Sequence, residues 1–322
     1  MNTTSTPPPI TDAVSSYIMC SLSTFFALLA IILSIMIIVI VARTKTHLHT
    51  IRHLLICNTC VASCFYCIVQ TTNYICLVFL ELLTDDFSCR WSGYFGYAAI
   101  AASVYSYLAQ SISRLLIILY AAKYPWVKAF RTHKIIIALQ WLISFILPLP
   151  ALITNDIYFL RGHLCWVPFT HPIHMLYTLF AGYILPVVAI AVIYLYVFIR
   201  IKIITRRAEN IRTNIRDKRD LGILRNIVIS LGIYIGGGTP ASIFIFTSIQ
   251  IFYVIGIISF TFGVLVEKIF TIILDHEIHQ VIKQHVVFPS KNRVIPFNNT
   301  TTRPKKITNK VIVGKDHDET LF

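Results

Sequence analysis

Four of the eight cysteines lie close together in the chain, as Cys57, Cys60, Cys64 and Cys67. Their Cys-x2-Cys-x3-Cys-x2-Cys spacing is similar to that of a zinc or iron–sulfur site. The surrounding residues are apolar and predict a helix, along which ten residues rise about 15 Å. Sulfurs spread over that distance cannot meet at one ion. We therefore interpret the set as small side chains that pack against a neighbouring helix.

The other residue patterns with chemical potential are weaker. His47, His49 and His53 form one group and His171 and His174 another, but no thiolate or carboxylate completes a metal site in either. The chain has no phosphate-binding glycine loop, no His-Glu-x-x-His motif and no nucleophile elbow. We expect no enzyme, and we expect no metal or cofactor.

The elements that position these residues are long apolar helices. The chain of 322 residues is 56% hydrophobic and only 13% charged, whereas soluble domains carry about 25% charged residues. Apolar runs of about 20 residues can cross a bilayer as helices, and their continuous apolar character differs from the alternating pattern of barrel strands. The predicted fold is an all-α membrane protein, a seven-transmembrane helix bundle. Its spans are 17–42, 54–80, 94–122, 135–154, 173–199, 226–249 and 251–274.

The loop charges predict the orientation of the bundle. The segments 43–53, 123–134, 200–225 and 275–322 hold 24 of the 28 basic residues. Short cytoplasmic loops are rich in Lys and Arg, so these segments are predicted to be cytoplasmic and the N-terminus to be outside. The positive face suits a lipid bilayer with an anionic inner leaflet, and nucleic acid is not needed to explain the charge.

This orientation divides the chain into three parts. Residues 1–16 are an extracellular N-terminal segment with a glycosylation sequon at Asn2. Residues 17–285 form the seven-transmembrane bundle with a short inner-surface helix, and residues 286–322 form a disordered basic cytoplasmic tail. We expect a multi-pass protein of the plasma membrane, whose first span acts as an uncleaved signal.

Two cysteines differ from the other six because they lie in outer segments. Cys89 and Cys165 would face an oxidising compartment, where disulfides persist. A bridge between them would attach the second outer loop to the top of the third span. The alternative is a pair of free thiols.

The spans contain three charged residues, Arg114, Glu267 and Lys268. A charge within the bilayer is costly and normally faces the bundle interior or water. Arg114 is near the cytoplasmic end of its span, where it either reaches the interface or closes the inner mouth of the bundle. Glu267 and Lys268 are adjacent, and they either balance each other locally or have a function.

These positions, taken together, resemble those of the rhodopsin-like (class A) G-protein-coupled receptors, in a divergent form. The resemblance covers about residues 17–285 and depends on conserved spacings in that family. The matching residues are Cys89, Arg114 (25 residues later), Trp141, Pro148, Pro150, Cys165, Pro186, Tyr194 (eight residues after Pro186), Pro240 and the stretch 48–63. Residues 275–278 resemble the start of the short membrane-surface helix of the family.

The sequence departs from the family at its switch motifs. Ser63 replaces the aspartate of the sodium site, and Ser113 replaces the acid that restrains the arginine. Gly238 stands where the toggle tryptophan belongs, and Lys268 where the proline of the last span belongs. These changes put sodium modulation and the usual toggle in doubt.

The resemblance implies a function and a mechanism. A ligand in the outer cavity would favour a state in which the inner end of the sixth span moves outward, with Gly236–Pro240 as the weak hinge. A heterotrimeric G protein would then dock near Arg114 and Tyr194, with Pro186 and Pro240 as switch positions. The alternatives are a small transporter or channel and a membrane protein without signalling activity.

The ligand itself is only partly constrained by the resemblance. Gly96 replaces the aspartate of amine receptors, and the last span lacks the lysine of opsins, so we expect neither an amine nor retinal. A peptide or another small ligand remains, and the acidic residues Glu81, Asp85, Asp86 and Asp156 favour a cationic peptide unless they are simply solvated. The expected pocket residues are Asn73, Gly96, Tyr97, Ile100, Tyr177 and Tyr183.

Overall fold

The chain folds into long helices. The computed structural model describes residues 10–44, 50–78, 86–120, 123–157, 165–167, 171–208, 232–233, 235–247 and 249–287. The helices are α1 (Ile10–Arg43), α2 (Ile51–Val78), α3 (Asp86–Tyr120), α4 (Phe130–Ile146), α5 (Leu149–Ile153), α6 (Pro172–Leu179), α7 (Leu185–Ala208), α8 (Ile235–Thr247), α9 (Gln250–Leu274) and α10 (His276–Val287). A 3-10 turn at Pro125–Lys128 precedes α4, and a π-helical turn at Phe180–Ile184 joins α6 to α7.

The helices agree with the predicted spans in number and order. Within the described residues, six segments are long and apolar enough to cross a membrane, and α8 is a shorter apolar helix. The predicted break near Gln250 is confirmed, because Ile249 has extended backbone angles and α9 begins at the next residue. The third span starts earlier than predicted, at Asp86 rather than at residue 94. The sequon at Asn2 and the predicted tail from residue 288 onward lie outside the described residues.

Prolines interrupt two of the spans. Pro148 and Pro150 separate α4 from α5. Pro186 is buried in the first turn of α7, directly after the π-helical turn. Proline has no N–H to donate to the preceding turn, and a π turn is one way for a helix to absorb the lost bond.

The helices pack in sequence around α2 and α3. α1 contacts α2 and α9, α2 contacts α3, and α3 contacts α4 and α7. Small buried residues of α3, among them Ala98, Ala99 and Ala102, allow the neighbouring helices to approach closely. Many large apolar side chains of α1, α4 and α7 are exposed on the opposite faces. Those faces suit lipid rather than water.

Polar side chains join α2, α3 and α4 in the middle of the bundle. The amide of Asn58 donates to Gln140 Oε1 (2.9 Å), and the indole of Trp141 donates to Asn58 Oδ1 (3.0 Å). Gln140 in turn donates to the Ala102 carbonyl (3.1 Å). Buried polar groups need such partners because water is absent. The network fixes how far these three helices can slide past each other.

Candidate functional site

The predicted disulfide is present and defines one end of the bundle. Cys89 and Cys165 are bonded, and their Cα atoms are 5.4 Å apart. Cys89 does not lie in an outer loop, as the sequence suggested, but in the first turn of α3. We call this end of the bundle the disulfide end. The bond attaches the segment Cys165–Val167 to α3.

Gly93 makes room for this attachment. It lies one turn after Cys89, and a Cβ atom at this position would be 2.5 Å from Ile157 Cγ2 and 2.8 Å from the Cys165 carbonyl oxygen. Neither distance is compatible with a side chain. The glycine therefore lets the backbone of the bridged segment lie directly on α3.

The bridged segment covers a cavity inside the bundle. The backbone N–H of Val167 donates to Tyr97 Oη (3.1 Å). The ring of Trp166 packs on that of Tyr97 with centroids 4.5 Å apart. These contacts hold residues 165–167 across the disulfide end, so the segment forms the roof of the cavity.

The cavity has a volume of about 170 Å³. We call it the disulfide-end cavity. Its walls come from α2, α3, α6, the π-helical turn, α8 and α9, and they are mostly apolar. Five tyrosines contribute to the lining: Tyr66, Tyr74, Tyr97, Tyr183 and Tyr253. No charged side chain is among the described residues that line it.

The structure places three of the six expected pocket residues at this cavity. Tyr97, Ile100 and Tyr183 line it. The other three, Asn73, Gly96 and Tyr177, are not among the residues that line it.

The reason is the face on which each of these three residues lies. Asn73 is buried between α2 and α3, where it accepts a hydrogen bond from Ser92 (2.6 Å). Gly96 faces α2, since a Cβ there would be 3.5 Å from the Asn73 amide nitrogen. Tyr177 lies on α6 and is 37% exposed.

Other lining residues were not predicted from the sequence. Gln70 on α2 is the clearest case, because it is 4% exposed and its Oε1 atom has no hydrogen-bond partner. Trp166 and Tyr253 were also missed. A count of buried amides in apolar helices could have pointed to Gln70, but only the packing shows that it borders a cavity.

Asp156 lies at the outer edge of the disulfide end and is already bound. It accepts hydrogen bonds from Thr154 and His174, and His171 Nδ1 is 3.3 Å from its Oδ1. The Thr154 hydrogen bond, together with the two histidines, holds the pKa of the Asp156 carboxyl below its usual value. This carboxylate is therefore not available as a free docking charge for a cationic peptide.

The opposite end of the bundle carries exposed basic residues and a second, polar cleft. Arg43, Lys123, Lys128, Arg131, Lys134 and Arg200 are exposed there. We call this the basic end. Its cleft has a volume of about 50 Å³ and is lined by Arg52, Arg114, Tyr194, Glu267, Lys268 and Asp275, among others. Arg114 and Tyr194 thus border one cleft.

A hydrogen bond positions Tyr194 on the same side of α3 as Arg114. Tyr194 is 5% exposed, and Ser111 donates to its hydroxyl (2.7 Å). Ser111 and Arg114 are three residues apart on α3 and therefore lie on neighbouring parts of one face. The contact links α3 to α7 at the basic end.

A buried ion pair lies at the same cleft. Lys268 Nζ is 2.6 Å from Glu267 Oε2, and the two side chains are 1% and 7% exposed. Arg52 pairs with the buried Asp275 (2.9 Å) one turn further along. The Asp275 carboxylate also accepts from the N–H groups of Glu277 and Ile278, so it caps α10.

The sequence was compared with models of known protein families. A family model described as 7 transmembrane receptor (rhodopsin family) matches residues 33–274, about three quarters of the chain. The chain belongs to the rhodopsin family of seven-transmembrane receptors. No individual curated protein matches it.

Two of the altered switch positions, Ser113 and Gly238, have different partners in this receptor. Ser113, in place of the family's acid, bonds to His133 Nδ1 (2.9 Å), and His133 Nε2 contacts the Val127 carbonyl (2.9 Å). These hydrogen bonds connect α3 to α4, whereas the family's acid restrains the arginine. Gly238, in place of the toggle tryptophan, faces Tyr183, whose ring atoms lie 2.5–2.6 Å from the position of a Cβ on that glycine.

Tyr183 therefore occupies the space above Gly238 in this receptor. Its hydroxyl donates to the Ile235 carbonyl (3.3 Å), so it contacts α8 while its ring lines the disulfide-end cavity. Pro240 lies in the same helix, two residues further. The tyrosine thus links the cavity to the part of α8 that the sequence suggested as a hinge.

Proposed function

We propose that this receptor lies in the plasma membrane with its N-terminus outside, binds an extracellular ligand in the disulfide-end cavity, and activates a heterotrimeric G protein at its basic end. The observation that carries the proposal is the presence of two separate sites at opposite ends of one bundle. One is an apolar cavity, and the other is a polar cleft that contains Arg114.

The charge distribution supports the orientation. The exposed lysines and arginines of the basic end are the residues that favour a cytoplasmic position and contact with anionic lipid. The exposed aromatic residues Tyr120, Tyr124 and Trp126 lie at the same end. Tyrosine and tryptophan are enriched where a membrane meets water.

The route between the two sites supports signalling rather than transport. A small gap of about 10 Å³ separates them, lined by Phe260, Val264, Glu267 and other residues of α3, α8 and α9. Phe260 also borders the cavity, and Glu267 also borders the cleft. The apolar layer between them favours a change of helix packing over the passage of a solute.

Movement of α8 would connect the sites. A ligand shifts a conformational equilibrium only by its difference in affinity for the two states. In this receptor a ligand in the cavity would touch Tyr183, which in turn contacts α8 at Ile235 and Gly238. Three consecutive glycines and Pro240 make this helix the easiest one to bend.

The proposal can be tested without knowing the ligand. Full-length receptor in lipid nanodiscs is mixed with a panel of heterotrimeric G proteins from which guanine nucleotide has been removed, and the complex is captured. We expect one class of heterotrimer to be retained and to be released on addition of GTPγS. Arg114→Ala should reduce the retained amount by about tenfold or more, the usual cost of losing a charged hydrogen-bonding group.

The matched control is Arg90→Ala. Arg90 lies on the same helix at the disulfide end, where it donates to Asn155 (2.7 Å). This variant should retain the heterotrimer as the wild type does. Equal retention by the Arg114 variant, or release of no heterotrimer by GTPγS, would contradict the proposal.

A further inference from the structure

The side of the bundle has an apolar opening between α7 and α8. We propose that this opening is a lateral entrance for a single-chain lipid, whose hydrocarbon chain lies between the two helices and reaches the disulfide-end cavity past Tyr183. The inference rests on the proposed receptor function, because it names the class of ligand that the cavity receives and the side from which this ligand arrives.

The opening is a groove with a volume of about 300 Å³. We call it the lateral groove. The π-helical turn and the start of α7 form one wall, and α8 forms the other. Val188 and Phe246 lie in these walls and are 53% and 71% exposed. No charged side chain is among the described residues that line the groove.

The position of the groove along the spans places it in the hydrocarbon of the bilayer. Val187 and Val188 are close to the middle of the 29-residue span Pro172–Arg200. Phe246 lies near the end of α8, on the side of the disulfide end. The hydrocarbon core of a bilayer, about 30 Å thick, surrounds the middle of a span. The groove therefore runs from the middle of the bilayer towards the disulfide end, and its neighbours are lipid chains rather than water.

The hydroxyl groups in the groove already have partners within the receptor. Tyr183 and Thr239 both donate to the Ile235 carbonyl, at 3.3 and 2.6 Å. Ser242 donates to the Gly238 carbonyl (3.1 Å). A polar group in hydrocarbon needs such an internal partner. The groove thus presents an apolar surface to a hydrocarbon chain, although three hydroxyls belong to its lining.

The lateral groove and the disulfide-end cavity are neighbours with a common wall. Tyr183 and Ser242 border both of them. Gly182 borders the cavity directly before Tyr183, and a Cβ atom there would have no neighbour within 4 Å. Tyr183 belongs to the π-helical turn, a local distortion that is frequent at functional sites. Two side chains next to open space therefore separate the cavity from the bilayer.

The lateral route also avoids the roof of the cavity. Trp166 packs on Tyr97, and Val167 donates to the same tyrosine, so a ligand that arrives from above has to displace this segment. A ligand that arrives between α7 and α8 leaves it in place. Apolar molecules leave water for the bilayer, where the groove is accessible to them. A passage between two side chains suits one hydrocarbon chain rather than the paired chains of a phospholipid.

The test uses a monoacylglycerol with a photoreactive diazirine in its chain. Full-length receptor in phosphatidylcholine nanodiscs that contain this probe is irradiated, and the labelled residues are identified by mass spectrometry. We expect labelling of Val188 and Ile243 to exceed that of Leu142, an exposed residue of α4, by about fivefold. This ratio corresponds to roughly ten additional carbon–carbon contacts within the groove.

Two competitors identify the source of the chain. Excess unlabelled monoacylglycerol should reduce the labelling of the groove to the level of Leu142. A phosphatidylcholine that carries the same diazirine should label the groove and Leu142 equally, because it belongs to the bulk bilayer.

Two variants of α7 test the groove. Val188→Trp fills it and should lower the labelling of Ile243 by about fivefold. Val192→Trp is the matched control, because Val192 lies one turn further on the same helix, is 60% exposed and is not among the residues that line the groove. This control should label as the wild type does.

Two further variants test the passage into the cavity. Ser242→Phe narrows it and should reduce labelling of the cavity residues Tyr97 and Met175, while labelling of Val188 persists. Tyr183→Ala removes the aromatic ring from the passage and should increase labelling of the same two cavity residues. The opposite signs distinguish a change in the passage from a loss of folding, which would change all the labelling alike.

Several outcomes would overturn the inference. They are equal labelling of the groove and of Leu142, labelling that excess monoacylglycerol does not reduce, an equal loss in Val188→Trp and Val192→Trp, and cavity labelling that neither passage variant changes. Preferential labelling of the groove by the phosphatidylcholine probe would also overturn it, because a bilayer phospholipid would then be the occupant.

The labelling needs no G protein, so it is independent of the proposed function. Heterotrimer capture by a receptor whose groove is not labelled would refute the lipid entrance alone. Labelling of the groove and cavity without heterotrimer capture would refute the receptor function alone.

Discussion

Replacement of Glu267 by glutamine should strongly destabilise the receptor. The ammonium of Lys268 is 1% exposed and its carboxylate partner is 2.6 Å away. Removal of that carboxylate would leave a buried, uncompensated charge, a change that costs about 3–5 kcal/mol in proteins. The adjacent hydrogen bond from Thr271 to Glu267 Oε1 (3.1 Å) is neutral at its donor and is worth about 1 kcal/mol.

The double variant makes the reasoning quantitative. Glu267→Gln combined with Lys268→Met removes both charges and leaves an apolar chain of similar length. Such a replacement is often neutral, so the double variant should lie within about 1 kcal/mol of the wild type. The second substitution therefore recovers about 2–5 kcal/mol of the loss caused by Glu267→Gln alone, whereas substitutions at independent sites would add their losses.

The assay is thermal unfolding in nanodiscs, followed with a thiol-reactive dye. Cys20, Cys60 and Cys67 are buried free cysteines that become reactive only on unfolding. Glu267→Gln should lower the midpoint by on the order of 10 °C, and Thr271→Val by on the order of 3 °C. Additive losses in the double variant, or a loss for Glu267→Gln no larger than for Thr271→Val, would refute the buried pair.

Three further predictions concern the disulfide end. Cys89→Ser and Cys165→Ser should each cost about 2–5 kcal/mol, and the double variant should be no less stable than either in the same unfolding assay. Because the pKa of Asp156 is below its ordinary 3.8, its carboxylate stabilises the fold above pH 3.8 and loses that contribution as the pH falls through the lower folded value. The stability gap between the wild type and Asp156→Asn should therefore narrow in titrations below that pH, and a constant gap would contradict this. Gly238→Ala should cost about 1–3 kcal/mol by overpacking against Tyr183, and a Tyr183→Ala background should remove most of that cost.

The membrane spans could be predicted from the sequence because each depends on a local run of apolar residues. Such runs are recognisable without any knowledge of packing, and the extended residue Ile249 confirms even the weakest predicted break. The disulfide was predictable too, since only Cys89 and Cys165 lie outside the predicted spans. The start of α3 was not, because residues 86–93 include Asp86, Arg90 and small polar residues and so do not continue the apolar run.

The pocket could be predicted only in part, because it depends on which helix faces are in contact. Family spacing named Tyr97 and Ile100, which line the cavity, and also Gly96, which lies against α2. The relation between Gly238 and Tyr183 could not be predicted, since the two residues are far apart in sequence and meet only when the π-helical turn lies against α8. Gln70 could not be predicted either, because the feature that distinguishes it is a buried Oε1 atom without a hydrogen-bond partner, and this depends on packing.

The most direct test of the account is the rate of GDP release from a heterotrimeric G protein in the presence of this receptor. Full-length receptor in nanodiscs is mixed with each heterotrimer class, and exchange of bound GDP for GTPγS is followed over time. The account predicts faster exchange than with empty nanodiscs for at least one class, and loss of this acceleration in Arg114→Ala but not in Arg90→Ala. Exchange at the empty-nanodisc rate for every class, with folded receptor, would contradict it.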